Sequence, residues 1–248
     1  MKKSLLMYLI LLLSLLCGCK SISNNNTEIE LASFTIIFSF DDGPNIHADT
    51  TARLLDVLKK YEVTAMFALL GHRAEAYPEL VKRIHDEGHY LINHGYSDKW
   101  SINMKESDFL ENLRKGEAAI SLAIGEEMNP KLYRPHGGFY NSTHERIILN
   151  EGYFIVPGNI RVSDAILKEK DQSKMINQTI KKVEEHGKGI ILLHDSKDSI
   201  SRMEKKLAKN PNGSFNRTWI PGAVEEIIIA LLEKGYTIGH PSLVIPSF

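Results

Sequence analysis

Phe34-Thr35-Ile36-Ile37-Phe38-Ser39-Phe40-Asp41-Asp42-Gly43-Pro44 decides how the rest of this chain is read. An apolar, β-branched run stops at two adjacent carboxylates, a glycine and a proline, as when a buried strand delivers polar groups to the turn at its C-terminal end. Neighbouring side chains on an extended strand point to opposite faces. Asp41 and Asp42 are therefore expected to divide two tasks, one carboxylate facing a metal and the other a water. Taken alone, Asp-Asp-Gly-Pro is also ordinary turn composition, and its surroundings must decide.

Downstream, short β-like runs alternate with helical ones. Leu54, Leu55 and Leu58 mark a helix over Thr50 to Tyr61, followed by a strand from Val63 to Leu70. Pro78 opens a helix whose face is Leu80, Val81 and Ile84, ahead of a strand from His89 to Asn93. A helix from Lys105 to Ile124, a strand from Lys131 to Arg134, a helix from Ser142 to Asn150 and a strand from Tyr153 to Val156 come next. The pattern closes with a helix over Ser173 to His186, a strand from Gly189 to His194, a helix over Gly222 to Lys234 and a strand from Tyr236 to Ile238. Such alternation predicts parallel strands with helices outside, either an α/β barrel or an open parallel sheet.

Chemistry in such folds gathers where strands end. Asp41 and Asp42 end the first strand, His94 and Asp98 follow the third, and Arg134 to Gly138 follow the fourth. Asp164 lies after the fifth strand, and His194 with Asp195 closes the sixth. His94 and Asp98 are four apart and could share one face of a helical turn. Ser196 to Ile220, rich in charge, Asn, Gly and Pro, reads either as a lid or substrate wall, or as a solvated loop with a helical turn near Arg202 to Leu207.

The N-terminus has a different plan. Lys2 and Lys3 precede an apolar run from Leu5 to Leu16, too short for a membrane span of ~20 residues, and then Leu16-Cys17-Gly18-Cys19. This reads as a signal peptide over residues 1–18 whose ending resembles a bacterial lipobox, with Cys19 expected as the acylated first residue of an exported, membrane-tethered lipoprotein; a plain secretory signal or an uncleaved anchor is the alternative. Residues 19–30, polar and without apolar period, suit a flexible tether, and 31–248 form one domain. Both cysteines fall in the leader, so the domain has no disulfide. The formal charge of −1 gives no basic balance for nucleic acid.

The rim motifs, in their order, resemble the polysaccharide deacetylase family, carbohydrate esterase family 4. Ser39 to Pro44 is similar to the family's first motif, and Gly88 to Asp98 to its second, with Asp98 where the family places a histidine. Arg134-Pro135-His136-Gly137-Gly138 resembles the third, departing at His136 and Gly137. Ile160 to Ala165 keeps only Asp164 of the fourth, Arg161 and Ala165 standing for its first aspartate and its tryptophan. Leu192-Leu193-His194-Asp195 matches the fifth.

The resemblance implies a distorted (β/α) barrel and a metal-dependent hydrolase that removes N- or O-acetyl groups from an extracytoplasmic polysaccharide or peptidoglycan. It assigns the metal to Asp42, His94 and Asp98. Asp41 becomes the general base, held ionised by Arg134; Gly137 N–H becomes an oxyanion donor; His194 becomes the general acid, supported by Asp164. The cation is zinc, manganese, iron, cobalt or nickel, and two carboxylate ligands would favour the harder ions. If Asp98 only caps a turn, His136 or solvent completes the site. Two further outcomes stay open, a glycan-binding lipoprotein that has lost catalysis and a hydrolase of a non-acetyl amide.

Overall fold

The computed structural model describes residues 33–245; the leader, Cys19 and the whole of the tether lie outside them. Strand β1 (Thr35–Gly43) is buried along its whole length. It pairs in parallel with β2 (Met66–Leu69) over Ser39 to Gly43, with β7 (Gly189–His194) over Ile36 to Asp41, and with β8 (Thr237–Ile238) at Thr35 and Ile36. A strand with neighbours on both edges and helices on its outer face has no polar side, which is why Thr35 to Phe40 reads as a nearly continuous apolar run. β3 (Tyr90–Asn93), β4 (Leu132–Tyr133) and β5 (Phe154–Ile155) extend the sheet on one side, and β6 (Ile160–Arg161) pairs with β7 on the other.

The path therefore runs β5-β4-β3-β2-β1-β7-β6. Its two edge strands are consecutive in the chain, joined only by residues 156–159. From Ile155 to Ile160 the backbone can reach at most about 18 Å, at ~3.6 Å per residue. The sheet must therefore curl until its edges almost meet. This is an incomplete parallel barrel, in line with the expected distorted (β/α) barrel.

The described helices are α1 (Thr50–Lys60), α2 (Gly71–Ala76), α3 (Pro78–Asp86), α4 (Glu106–Ile124), α5 (Ser142–Asn150), α6 (Gln172–His186), α7 (Ile200–Lys209) and α8 (Ile220–Glu233), and all but α2 and α7 stand where the sequence pattern predicts them. Leu54, Leu55 and Leu58 of α1 and Val81 and Ile84 of α3 are fully buried against Phe38, Phe40 and Phe67. Burying a side chain of this size contributes roughly 1.5–3 kcal/mol. Three elements were not expected. β6 is too short to show a period, α2 lacks an apolar stripe, and α7 occupies the segment read as a lid or a loop with one helical turn. That segment is pinned at its start by buried Arg73, which donates to Pro44 O, Lys197 O and Asp198 O.

Candidate active site

Asp41 and Asp42 do not diverge as expected from strand alternation. The β1–β2 register shifts between Asp41 and Gly43, and Asp42 takes the left-handed conformation with φ 71°. An aspartate tolerates this backbone better than most residues, and a bulge of this kind re-aims a side chain. Both carboxylates consequently approach one imidazole nitrogen: His94 Nε2 lies 3.4 Å from Asp42 Oδ1 and 3.8 Å from Asp41 Oδ2. Gly43 must be glycine because a Cβ there would lie 2.7 Å from the buried Asp195 carboxylate.

Arg134 organises this side of the site. It is 2% exposed, and its guanidinium binds Asp41 Oδ1 and donates to Ser39 Oγ at 2.6 Å, Val156 O at 3.2 Å and Pro157 O at 3.0 Å. The last two carbonyls belong to the short link between the sheet edges, so Arg134 closes the seam of the barrel while it holds Asp41. Its own carbonyl accepts from His94 Nδ1 at 2.7 Å. Neutral His94 then carries its proton on Nδ1 and presents a lone pair at Nε2, facing carboxylate oxygens.

His136, in the turn after β4, brings Nδ1 to 3.3 Å from the same Asp42 Oδ1. That nitrogen is buried and makes no hydrogen bond. Asp42, His94 and His136 each offer one ligand atom, all within 4.8 Å of one another. Burial raises the pKa of Asp42, but His136 and His94 together hold it well below the ordinary carboxylate value. Burial lowers His136, and the Asp42 carboxylate more than reverses this. Electron pairs converging on a space where the protein favours positive charge are what a divalent cation requires, and a backbone carbonyl behind His94 is the usual support of a ligating imidazole. The donor set fits the expected metal.

The structure corrects one expected ligand. Asp98 is not in this cluster. Gly95, at φ 86°, turns the chain immediately after His94, and Asn112 fixes the turn by accepting from Ser97 N–H at 2.9 Å. No helical turn forms from His94 to Asp98, and Asp98 Oδ2 instead accepts Ser199 N–H at 3.0 Å, just before α7. His136 stands in the cluster where Asp98 was expected. A polar residue beside Arg134 was the only sequence signal for it.

Across the cluster, Asp164 follows β6 and is fully buried. Its Oδ1 meets His194 Nδ1 at 2.9 Å, and its Oδ2 accepts His194 N–H at 2.9 Å. Burial lowers the His194 pKa, but the charge and hydrogen bond of Asp164, with Asp42 and Asp41 beyond, raise it to about 9. Sequence reasoning missed Arg217. It is fully buried in the segment before α8 and binds Asp164 Oδ2 at 2.5 Å, Asp164 O at 2.9 Å and His194 O at 2.9 Å. Nothing in its neighbourhood, Ser214-Phe215-Asn216-Arg217, announces that contact.

Gly137 has φ 79° with the Trp100 ring against it, and no partner for its N–H is found among the described residues. Asp41, Asp42, His94, Arg134, Gly137, Asp164 and His194 are thus gathered at the C-terminal ends of the strands, with His136 and Arg217 added.

A barrel of this topology with carboxylate, arginine and histidine groups at its strand ends defines a class. Residues 29–156 match the family model described as polysaccharide deacetylase, and the chain belongs to that family. A peptidoglycan-N-acetylglucosamine deacetylase of Bacillus cereus is 33% identical over 129 residues, 52% of this chain and 46% of that protein. The chain thus aligns with about half of that relative. The crystal structure of a peptidoglycan N-acetylglucosamine deacetylase in complex with 4-naphthalen-1-yl-N-oxidanyl-benzamide superposes with TM-score 0.68 and 26% identity, over 87% of this chain and 90% of that one. A family 4 acetyl xylan esterase from Clostridium thermocellum in complex with a cobalt ion gives TM-score 0.64 and 26% identity, over 85% and 89%. These relatives and neighbours are deacetylases and esterases, hydrolases of amide and ester bonds.

Proposed function

We propose that this protein removes acetyl groups from an acetylated glycan of the cell envelope, with Asp42, His94 and His136 holding a divalent cation, Asp41 as general base and His194 as general acid. One observation carries the reading. Two buried carboxylates flank the acceptor cluster, one paired with an arginine and the other with a histidine.

A divalent cation at the cluster would polarise the acetyl carbonyl and acidify a water. Asp41 has one oxygen fixed by Arg134, and its Oδ2 takes the proton of the attacking water. Gly137 N–H donates to the oxyanion as the carbonyl becomes tetrahedral. His194, held through Nδ1 by Asp164 and 21% exposed, delivers a proton from Nε2 to the leaving nitrogen or oxygen, so that acetate and the free amine or alcohol depart. A protein that only bound glycan would have no use for this acid pair.

Two imidazoles and one carboxylate suit zinc, iron, cobalt or nickel better than manganese, which reverses the preference expected from two carboxylates. Acetate release from acetylated oligosaccharides and peptidoglycan, with metal-stripped and metal-restored protein, tests the reading. Metal-restored release supports it, and no release from any substrate after restoration overturns it.

We infer further that export and acylation at Cys19 tether the domain to a membrane. One acyl chain binds a bilayer only marginally, so stable attachment takes more than one. Cys19→Ala is expected to abolish acylation and move the protein to the soluble fraction. Unchanged mass and unchanged membrane fractionation would refute the lipobox.

A further inference from the structure

Gly137 and Gly138 are both left-handed, at φ 79° and 80°, and both are crowded from outside. A Cβ at Gly137 would lie 2.9 Å from the Trp100 ring, and one at Gly138 would lie 2.9 Å from an Arg161 guanidinium nitrogen. The loop that carries the oxyanion donor therefore meets an indole at Gly137 and a guanidinium at the next residue, Gly138. Trp100 is nonetheless 54% exposed. It also lines an open depression of about 500 Å³ with Lys99, Asn103 and Met104. A large aromatic left half in water beside reacting groups has an apolar face to offer, and sugar C–H faces are what such rings take.

The charges around it agree. Arg161 spends Nε on Gly158 O at 2.8 Å, and neither it nor the exposed Lys99 has a carboxylate partner among the described residues. Lys99 shares the depression with Trp100, and Arg161 meets the same loop one residue further on, so two unpaired cations flank the aromatic platform and complement an anion. Neither residue belongs to the cation cluster or to the acid pair.

We propose that Trp100, Arg161 and Lys99 form a subsite for a sugar ring that bears a carboxylate, next to the acetylated unit under attack. This rests on the deacetylase reading and names its substrate class. The pyranose lies on the indole face, and its carboxylate is met by Arg161 or Lys99. An arginine where the family's fourth motif has an aspartate then becomes a selectivity change as well as a loss.

The chain has two tryptophans, and Trp219 is only 4% exposed, so changes in fluorescence quenching by acrylamide on ligand binding report Trp100. The metal-loaded protein is titrated with three acetylated oligosaccharides: neutral, with uronate carboxylates, and with lactyl ether carboxylates. Acetate release is measured on the same three. At least one anionic oligomer should protect Trp100 from acrylamide and show kcat/KM at least ~10-fold above the neutral one, with an advantage that shrinks as salt screens it. The arm that gains identifies uronate or lactyl as the source. Arg161→Gln should cut the anionic advantage at least ~3-fold, while Trp100→Ala raises KM more than it lowers kcat, and Trp100→Phe restores KM. Release with equal rates on all three, or an unprotected Trp100, overturns the subsite and leaves the deacetylase reading standing. Absence of release everywhere is the failure of that reading, and in that case fluorescence protection by anionic oligomers alone still decides the subsite.

Discussion

On one side of the His94–Asp42 cluster Asp41 meets a guanidinium, and on the other Asp164 meets an imidazole. Both carboxylates are buried, at 4% and 0% exposure. They differ in whether the partner has a proton to give. Arg134 never releases one, so Asp41 can only accept. His194 can release one, and Asp164 keeps it charged to about pH 9 so that it has one to deliver. Partner identity, more than burial, separates the proposed base from the proposed acid. The two sides also differ in how they are built. The Arg134 side is anchored to the sheet seam through Val156 and Pro157, whereas the His194 side depends on Arg217 reaching in from the segment after α7.

The largest effect should come from the base. Asp41→Asn removes the proton acceptor while leaving Asp42, His94 and His136 in place, and general base loss costs ~10²–10⁴-fold in rate. Turnover should fall by that amount with metal content, measured by elemental analysis, unchanged. Joint loss of metal and activity would show that the two carboxylates do not divide the work.

The acid side should be more selective. His194→Ala is expected to lower amide hydrolysis ~10²-fold or more and to affect activated acetyl esters much less, because their leaving groups need little protonation. Equal losses on both would remove His194 from the acid role. Its raised pKa also fixes a sign: the proton is present below about 9 and lost above, so amide turnover declines on the alkaline side, with a limb at or below about pH 9. Asp164→Asn removes the charge that holds the proton and should move that limb to lower pH.

The cluster between the two sides comes next. His136→Ala should weaken metal affinity at least ~10-fold, a loss that even supporting residues around a metal produce. Unchanged affinity would return the third position to solvent or to Asp98.

How much of this was legible depended on how local the cause was. β1 and its terminal carboxylates, His94, Arg134 and the pair Asp164 and His194 stand in short stretches whose residue types carry their own reason, an apolar run ending in charge. The bulge at Asp42 was not legible, since strand alternation predicts two faces and only the shifted β1–β2 register brings both oxygens to His94. Arg217 was hidden because its partners are 53 and 23 residues away, in a segment without period. Asp98 was misplaced because sequence spacing cannot see a left-handed Gly95 braced by Asn112.

That misplacement yields the smallest expected effect. Asp98 joins the two sides of the molecule in another way, because its Oδ2 ties the loop after β3 to the start of α7 through Ser199 N–H. The position that the family gives to a metal ligand has become a fastening. Asp98→Ala should therefore change metal affinity less than ~2-fold and should instead loosen the start of α7 by less than the ~1 kcal/mol net worth of a whole hydrogen bond, because Asp198 Oδ1, at 3.1 Å, shares the Ser199 N–H. Amide hydrogen exchange over 199–209 would quicken accordingly, and Asp98→Asn, which keeps an acceptor oxygen, should restore most of the protection. A tenfold fall in metal affinity in the alanine variant, with α7 exchange unchanged, would put Asp98 back at the cation and detach it from the helix.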